Sequence, residues 1–122
     1  MRRRDRGQAT VELALALPVL LVVLLAAIQV GLVARDQVRV AHAAREAARA
    51  AALEPTAEVA DAAARGASDL DPARLSVAVP SAGAPGDTVT VVVTYRAATN
   101  VPVVGSLLAD VVLEERATMR VE

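Results

Sequence analysis

From Leu13 to Ala34 the sequence LALALPVLLVVLLAAIQVGLVA runs for 22 residues without a charge, broken only by Gln29. As a helix it spans about 33 Å at ~1.5 Å per residue, enough for a hydrocarbon core of ~30 Å. Apolarity of this length, present on every side of the helix, predicts a membrane span rather than one face of a soluble helix. Pro18 lies inside it and removes one backbone hydrogen bond, so a kink or local loosening is expected there. Membrane helices tolerate such a residue.

After the span the period changes but the helix is expected to continue. Residues 35–53, RDQVRVAHAAREAARAAAL, hold no Gly or Pro and are rich in Ala, the strongest helix former. At 100° per residue, Arg35, Arg39, His42, Arg45, Glu46 and Arg49 fall within a sector of about 120°. Val40, Ala41, Ala44, Ala47, Ala48 and Ala51 lie on the other side. That side is apolar but nearly flat, which suits the close approach of another helix or a sheet. Pro55 ends the run, so Gln8–Leu53 reads as one helix of 46 residues. A short second helix is predicted at Thr56–Gly66. Thr56 caps it, Glu58 suits its positive first turn, Arg65 suits its last, and Gly66 ends it.

The remainder alternates with period 2. Leu75–Val79 is one such segment. In the next, Val89, Val91, Val93 and Tyr95 share a face, with Thr88, Thr90 and Thr94 on the other. In the last, Ala117, Met119 and Val121 alternate with Arg116, Thr118, Arg120 and Glu122. Three half-buried strands predict an antiparallel sheet. The first two are joined by the turn-forming loop Pro80–Asp87. Between the second and third lies TNVPVVGSLLAD, too apolar for a plain loop. Its Val103, Val104, Leu107 and Leu108 could cover the sheet edge, dip towards the membrane or touch a partner. The fold class is α+β: a long N-terminal transmembrane helix that continues into a small head with a three-stranded antiparallel sheet. The expected segments are a basic leader (1–7), the transmembrane helix (8–34), its Ala/Arg-rich continuation (35–54) and an extracytoplasmic α+β head (55–122).

Composition narrows the function. The 122 residues include 13 basic residues, all Arg, against 14 acidic ones, with one His, one Tyr and no Cys, Trp or Phe. Lack of Cys removes disulfides, Cys-ligated zinc and iron–sulfur clusters. One His and no calcium-loop pattern leave no metal site, and no cofactor is expected. A net charge of −1 and a single aromatic argue against nucleic-acid binding. His42, on the charged helix face with Glu46 one turn on, reads as a surface residue. Ser68, Ser76, Ser81 and Ser106 have no second His to serve them. Glu114 and Glu115, adjacent on a strand, point to opposite faces and form no acid/base dyad. There is no phosphate loop. A protein that is not an enzyme, without a small-molecule substrate, is expected. A small head with no Phe or Trp gains little burial per side chain and needs support from a membrane or a partner.

The chemistry is concentrated where the span begins. Residues 1–7, MRRRDRG, carry four Arg and one Asp, net +3. The apolar run is longer than a signal-peptide core of ~7–15 residues, and its one Ala-x-Ala, Ala14–Ala16, falls too early for cleavage. A retained anchor is expected. Arg2, Arg3, Arg4 and Arg6 before the span balance Arg35, Arg39, Arg45 and Arg49 after it. The denser leader, with fewer acids among its Arg, favours a cytoplasmic N-terminus. Gly7-Gln8-Ala9-Thr10-Val11-Glu12 then sets one carboxylate at the edge of the hydrocarbon, where an uncompensated charge is costly. A cut after Gly7 would give Gln8 a new α-amine, one helical turn from Glu12. Glu12 could neutralise that amine in its own chain or in a neighbour. The shortened chain, residues 8–122, carries nine Arg and thirteen acids, net −4.

These residues carry a resemblance. GQATVELALALPVLLVVLLAAIQVG followed by AHAAREAARAAAL resembles the TadE-like proteins of the tight-adherence (Flp) pilus system, which are similar to minor pilins and pseudopilins. The resemblance covers about residues 6–53, with ATMRVE at the end a loose fit. It implies that a prepilin peptidase cuts between Gly7 and Gln8 and can methylate the new amine, and that Glu12 serves processing or assembly. General pilins prefer Phe where this chain has Gln8, and tight-adherence pilins often have Tyr where it has Leu13. The implied function is a minor pilin or pseudopilin subunit. It would be inserted by its N-terminal helix and take part in assembly of a pilus or related secretion apparatus. Its implied partners are the prepilin peptidase, other pilin or pseudopilin subunits, an inner-membrane assembly platform and membrane lipid. The alternative is an unprocessed single-pass membrane protein whose outer domain binds a ligand or a protein.

Overall fold

A computed structural model of the chain describes residues 2–122, with side chains from Gly7 onward. The basic side chains of the leader therefore lie outside the described residues. The element order is helix α1 (Arg2–Leu53), helix α2 (Ala57–Gly66), a single 3₁₀ turn (Pro72–Arg74), strands β1 (Leu75–Ser81) and β2 (Thr88–Ala97), a one-turn helix α3 (Val104–Leu107) and strand β3 (Val111–Arg120). The chain is α+β, with the long N-terminal helix followed by a three-stranded antiparallel sheet in the order β1-β2-β3.

Two compact units divide these elements. One comprises α1 up to Leu32 together with Thr99–Ala109; the other comprises Val33–Ala98 and Asp110–Glu122. The second is the head. Its centre is β2, whose Val89, Val91 and Val93 are fully buried and whose Tyr95 and Ala97 are nearly so. Val91 pairs with Ala117 on β3, and Val93 pairs with Val77 on β1 and Glu115 on β3. Thr90 and Thr118 meet on the opposite face, their hydroxyls 3.0 Å apart. The alternation of the sequence thus reports true strand faces.

Against the valine face lies the Ala-rich part of α1. Val40, Ala43, Ala44, Ala47, Ala48 and Ala51 are at most 1% exposed and share one core with Ala60 and Ala64 of α2. Several details differ from the sequence reading: α1 begins at Arg2 rather than Gln8, and β1 runs on to Ser81 rather than ending at Val79. Ala43 is fully buried whereas Ala41 is only half-buried, so the buried stripe is rotated slightly towards the charged face. The third strand begins at Val111, five residues before the alternating part of the sequence. Val111 and Val112 are exposed, because β3 is an edge strand and its start gains hydrogen bonds from β2 without gaining cover.

Local chemistry fixes the joints. Thr56 caps α2, its hydroxyl accepting from the Val59 amide at 3.3 Å. Gly66 is not a left-handed terminator: it is the last helical residue, and Ala67 ends the helix in the right-handed region by donating to the Ala63 carbonyl. Arg65 donates to Asp61 at 2.7 Å and to the carbonyls of Pro72 and Leu75, tying α2 to β1. The hydrogen bond to Asp61 raises the pKa of that guanidinium further. In the β1–β2 loop the Asp87 amide donates to the Ala84 carbonyl, with Pro85 and Gly86 between them. Pro followed by Gly at φ +95° is the type II turn signature. Gly86 and Asp87 also exchange backbone bonds with Val121, and the Glu122 amide donates to the Ala52 carbonyl near the end of α1. The close of β3 therefore satisfies a carbonyl that the helix end leaves open.

Candidate functional site on the N-terminal helix

Gly7, Gln8, Glu12 and Pro18 all lie within α1 and all are exposed. Gln8 and Glu12 stand one turn apart on one face, the i,i+4 relation the spacing implies. Glu12 makes no hydrogen bond or ion pair among the described residues. Nothing lies within 4 Å of where a side chain at Gly7 would be, so the backbone there is open to approach. Glycine inside a helix also costs ~1 kcal/mol relative to Ala, which weakens this turn. Pro18 sits inside the continuous helix.

Beyond Glu12 the helix displays its aliphatic side chains on all sides. Leu13, Leu15, Leu17 and Val19 through Leu24 are each 44–72% exposed. Burying one such side chain is worth ~1.5–3 kcal/mol, so keeping this set in water would cost on the order of 20 kcal/mol. That exceeds the whole stability of an ordinary domain. A bilayer or other apolar helices must cover them. α1 from Gly7 is a candidate membrane span by length and composition, and none of its most apolar stretch is buried within the chain.

Sequence reasoning missed one part of this half of the molecule. Leu25, Ala26, Gln29 and Leu32 are covered, Gln29 to 4% exposure, and the segment that groups with them is Thr99–Ala109. Gln29 reads in the sequence as a mere interruption of the apolar run. The available signal was its position on one helical stripe with Leu25, Ala26 and Leu32, together with the absence of charge from Ala97 to Ala109.

The head offers less. A shallow groove of about 420 Å³ that runs across the three strands is lined by Arg74, Ser76, Thr94, Arg96, Asp110 and Val112. Arg74 is already engaged there, donating to Asp110 at 3.1 Å and to the Arg96 carbonyl at 3.2 Å. His42 is exposed on α1, as its place on the charged face requires. Gln37 of α1 donates to Glu115 at 2.7 Å, which engages the one carboxylate that β3 turns towards the core side. This pairing is structural.

Fold and site together define a class: a small α+β head on a long helix that carries a candidate membrane span. Residues 7–49 match the family model described as TadE-like protein. The match begins at Gly7, takes in Glu12 and the apolar run, and ends in the Ala/Arg-rich continuation. Over these 43 of its 122 residues the chain is similar to TadE-like proteins. No curated protein and no solved structure matches the chain.

Proposed function

We propose that this chain is a minor pilin- or pseudopilin-like subunit of a Tad pilus or a related secretion apparatus, and not an enzyme. The observation that carries the reading is a lone carboxylate, Glu12, at the entrance of an exposed apolar helix that matches the TadE-like family from Gly7 onward. A prepilin peptidase removes the basic leader between Gly7 and Gln8. The helix stays in the membrane, with the leader side cytoplasmic and the head outside, until it packs laterally against other pilin or pseudopilin subunits on an inner-membrane platform. Glu12 then sets axial register by pairing with the α-amine of Gln8, its own or a neighbour's.

The electrostatics support this role. A carboxylate entering hydrocarbon is costly, and an ammonium one turn away removes most of that cost. A charge-assisted hydrogen bond is worth ~1.5–3 kcal/mol, so its loss should reduce incorporation about tenfold or more. Glu12→Gln keeps the shape and removes the charge. Membrane extraction of the variant should be normal while its co-purification with pilin partners falls. Undiminished co-purification would sink the role of Glu12. Processing is tested separately, by intact mass and terminal sequencing of the membrane-extracted protein from its host. A start at Gln8, with or without a methyl group, supports the proposal. A start at Met1 refutes processing and leaves an anchored protein whose head binds a partner.

A further inference from the structure

Residues 99–109 interrupt the sheet between β2 and β3 yet do not group with it; they group with the apolar half of α1. The covered residues of that half, Leu25, Ala26, Gln29 and Leu32, form one helical stripe and all lie inside the uncharged run Leu13–Ala34. The segment turns Val101 and Val104 inward, at 7% and 6% exposure. Outward it shows Val103 at 53%, Leu107 at 76% and Leu108 at 56%.

Several of its carbonyls are satisfied within the segment. The Val101 carbonyl accepts from the Gly105 amide at 2.7 Å, that of Pro102 from the Val104 amide at 2.8 Å, and that of Val104 from the Leu108 amide at 3.1 Å. The Ser106 hydroxyl donates to the Val103 carbonyl at 2.7 Å, and the Thr99 hydroxyl to the Ala109 carbonyl at 3.1 Å. Carbonyls satisfied within the segment are compatible with backbone at membrane depth. The bond from Val104 to Pro102 closes a γ-turn centred on Val103, at φ +69° and ψ −53°. That turn is rare and strained, more so for a β-branched residue. Its effect is to present Val103 beside Leu107 and Leu108. Gly105 permits the fold, because a side chain there would strike the Thr99 carbonyl.

We propose that residues 101–108 form a lipid-inserting wedge. The wedge lies beside α1 in the leaflet crossed by Leu25–Leu32, with Val103, Leu107 and Leu108 against acyl chains. This rests on the reading of α1 as a membrane span. Lipid fits better than a protein partner because the exposed surface offers no charge and no directional hydrogen bond. It is also continuous in chemistry with Leu24, Ile28 and Val30 of the helix, themselves 47–69% exposed. The wedge gives the chain a second membrane contact far along the sequence from the first.

The chain lacks Trp, so a single introduced Trp reports its own surroundings. The full chain is placed in phosphatidylcholine vesicles with and without brominated acyl chains. Leu107→Trp is compared with Leu21→Trp in the span and with Ala62→Trp on the exposed side of α2. Leu108→Trp serves if Leu107→Trp misfolds. The expected result is blue-shifted emission from Leu107→Trp that bromine quenches, as for Leu21→Trp, with Ala62→Trp red-shifted and unquenched. Red-shifted, unquenched emission from Leu107→Trp while Leu21→Trp is quenched overturns the wedge and leaves the span standing. Blue-shifted but unquenched emission means a protein, such as a second copy, covers the segment, and also overturns it. Absence of quenching at Leu21→Trp would overturn the span and the wedge with it.

Discussion

Ala47 is fully buried in the seam between α1 and the valine face of β2. Replacing it with Leu adds three carbons. If the seam held free space, their burial would contribute about 2.4 kcal/mol at ~0.8 kcal/mol per methylene. The seam is lined by Ala on the helix and by Val89, Val91 and Val93 on the strand, all at 0–1% exposure, so the added carbons have nowhere to go. Overpacking of this kind costs ~1–3 kcal/mol net. Ala50→Leu supplies the control. Ala50 is half-buried and faces an open groove of about 490 Å³ that Leu53 and Ala63 also line, so the same three carbons should be neutral or mildly stabilising there. The assay is unfolding of the full chain in detergent, followed by circular dichroism. For a head of this size 1 kcal/mol corresponds to about 4–8 °C in Tm. Ala47→Leu should lower Tm by roughly 4–24 °C, and Ala50→Leu should leave it or raise it. A Tm for Ala47→Leu at or above that of the parent chain would refute the claim that small side chains are required there.

Two further substitutions test the joints of the head by the same assay. Thr56→Ala removes the side-chain acceptor for the Val59 amide and should cost about 1 kcal/mol, with Thr56→Ser restoring most of it; equal Tm values would show that the cap contributes nothing. Gly86→Ala places a Cβ where φ is +95° and should cost ~1–2 kcal/mol, whereas Gly66→Ala, in ordinary helix with open space around it, should be neutral or stabilising; the reverse order would contradict the turn geometry.

Much of this architecture can be read in the sequence because it rests on short-range periodicity. Val89 to Tyr95 alternate, and their inward members are the core of the sheet. The charged sector from Arg35 to Arg49 leaves an Ala stripe, and that stripe meets the valines. The illegible parts are those set by long-range pairing. The start of β3, VVLEE, has no alternation because its strand character comes from register with Ala97 to Val93 on β2. The association of 99–109 with the helix depends on contacts between residues some seventy positions apart, and apolarity alone left three destinations open. Gly66 misleads because glycine past a helix often adopts a left-handed cap, yet Ala67 closes α2 without one. The proposed chemistry of Gly7, Gln8 and Glu12 lies in what approaches an open helix, so spacing and family resemblance carry it more than packing does.

One helix therefore presents two kinds of surface. In its first half large aliphatic side chains point outward and the most apolar stretch buries nothing within the chain. In its last third the side chains shrink to Ala and turn inward, because the surface they meet is a sheet of β-branched residues. Between them Gln29 is buried where the apolar segment 99–109 joins the helix half. A buried amide is expensive in hydrocarbon unless polar groups meet it. In the proposed assembly the same logic holds at the other end of the span, where a cation beside Glu12 lowers the cost of its charge. Glu12, just before the apolar run, and Gln29, within it, thus mark where the helix half has neighbours: the segment 99–109, which groups with it, and in the proposed assembly an α-amine at Glu12.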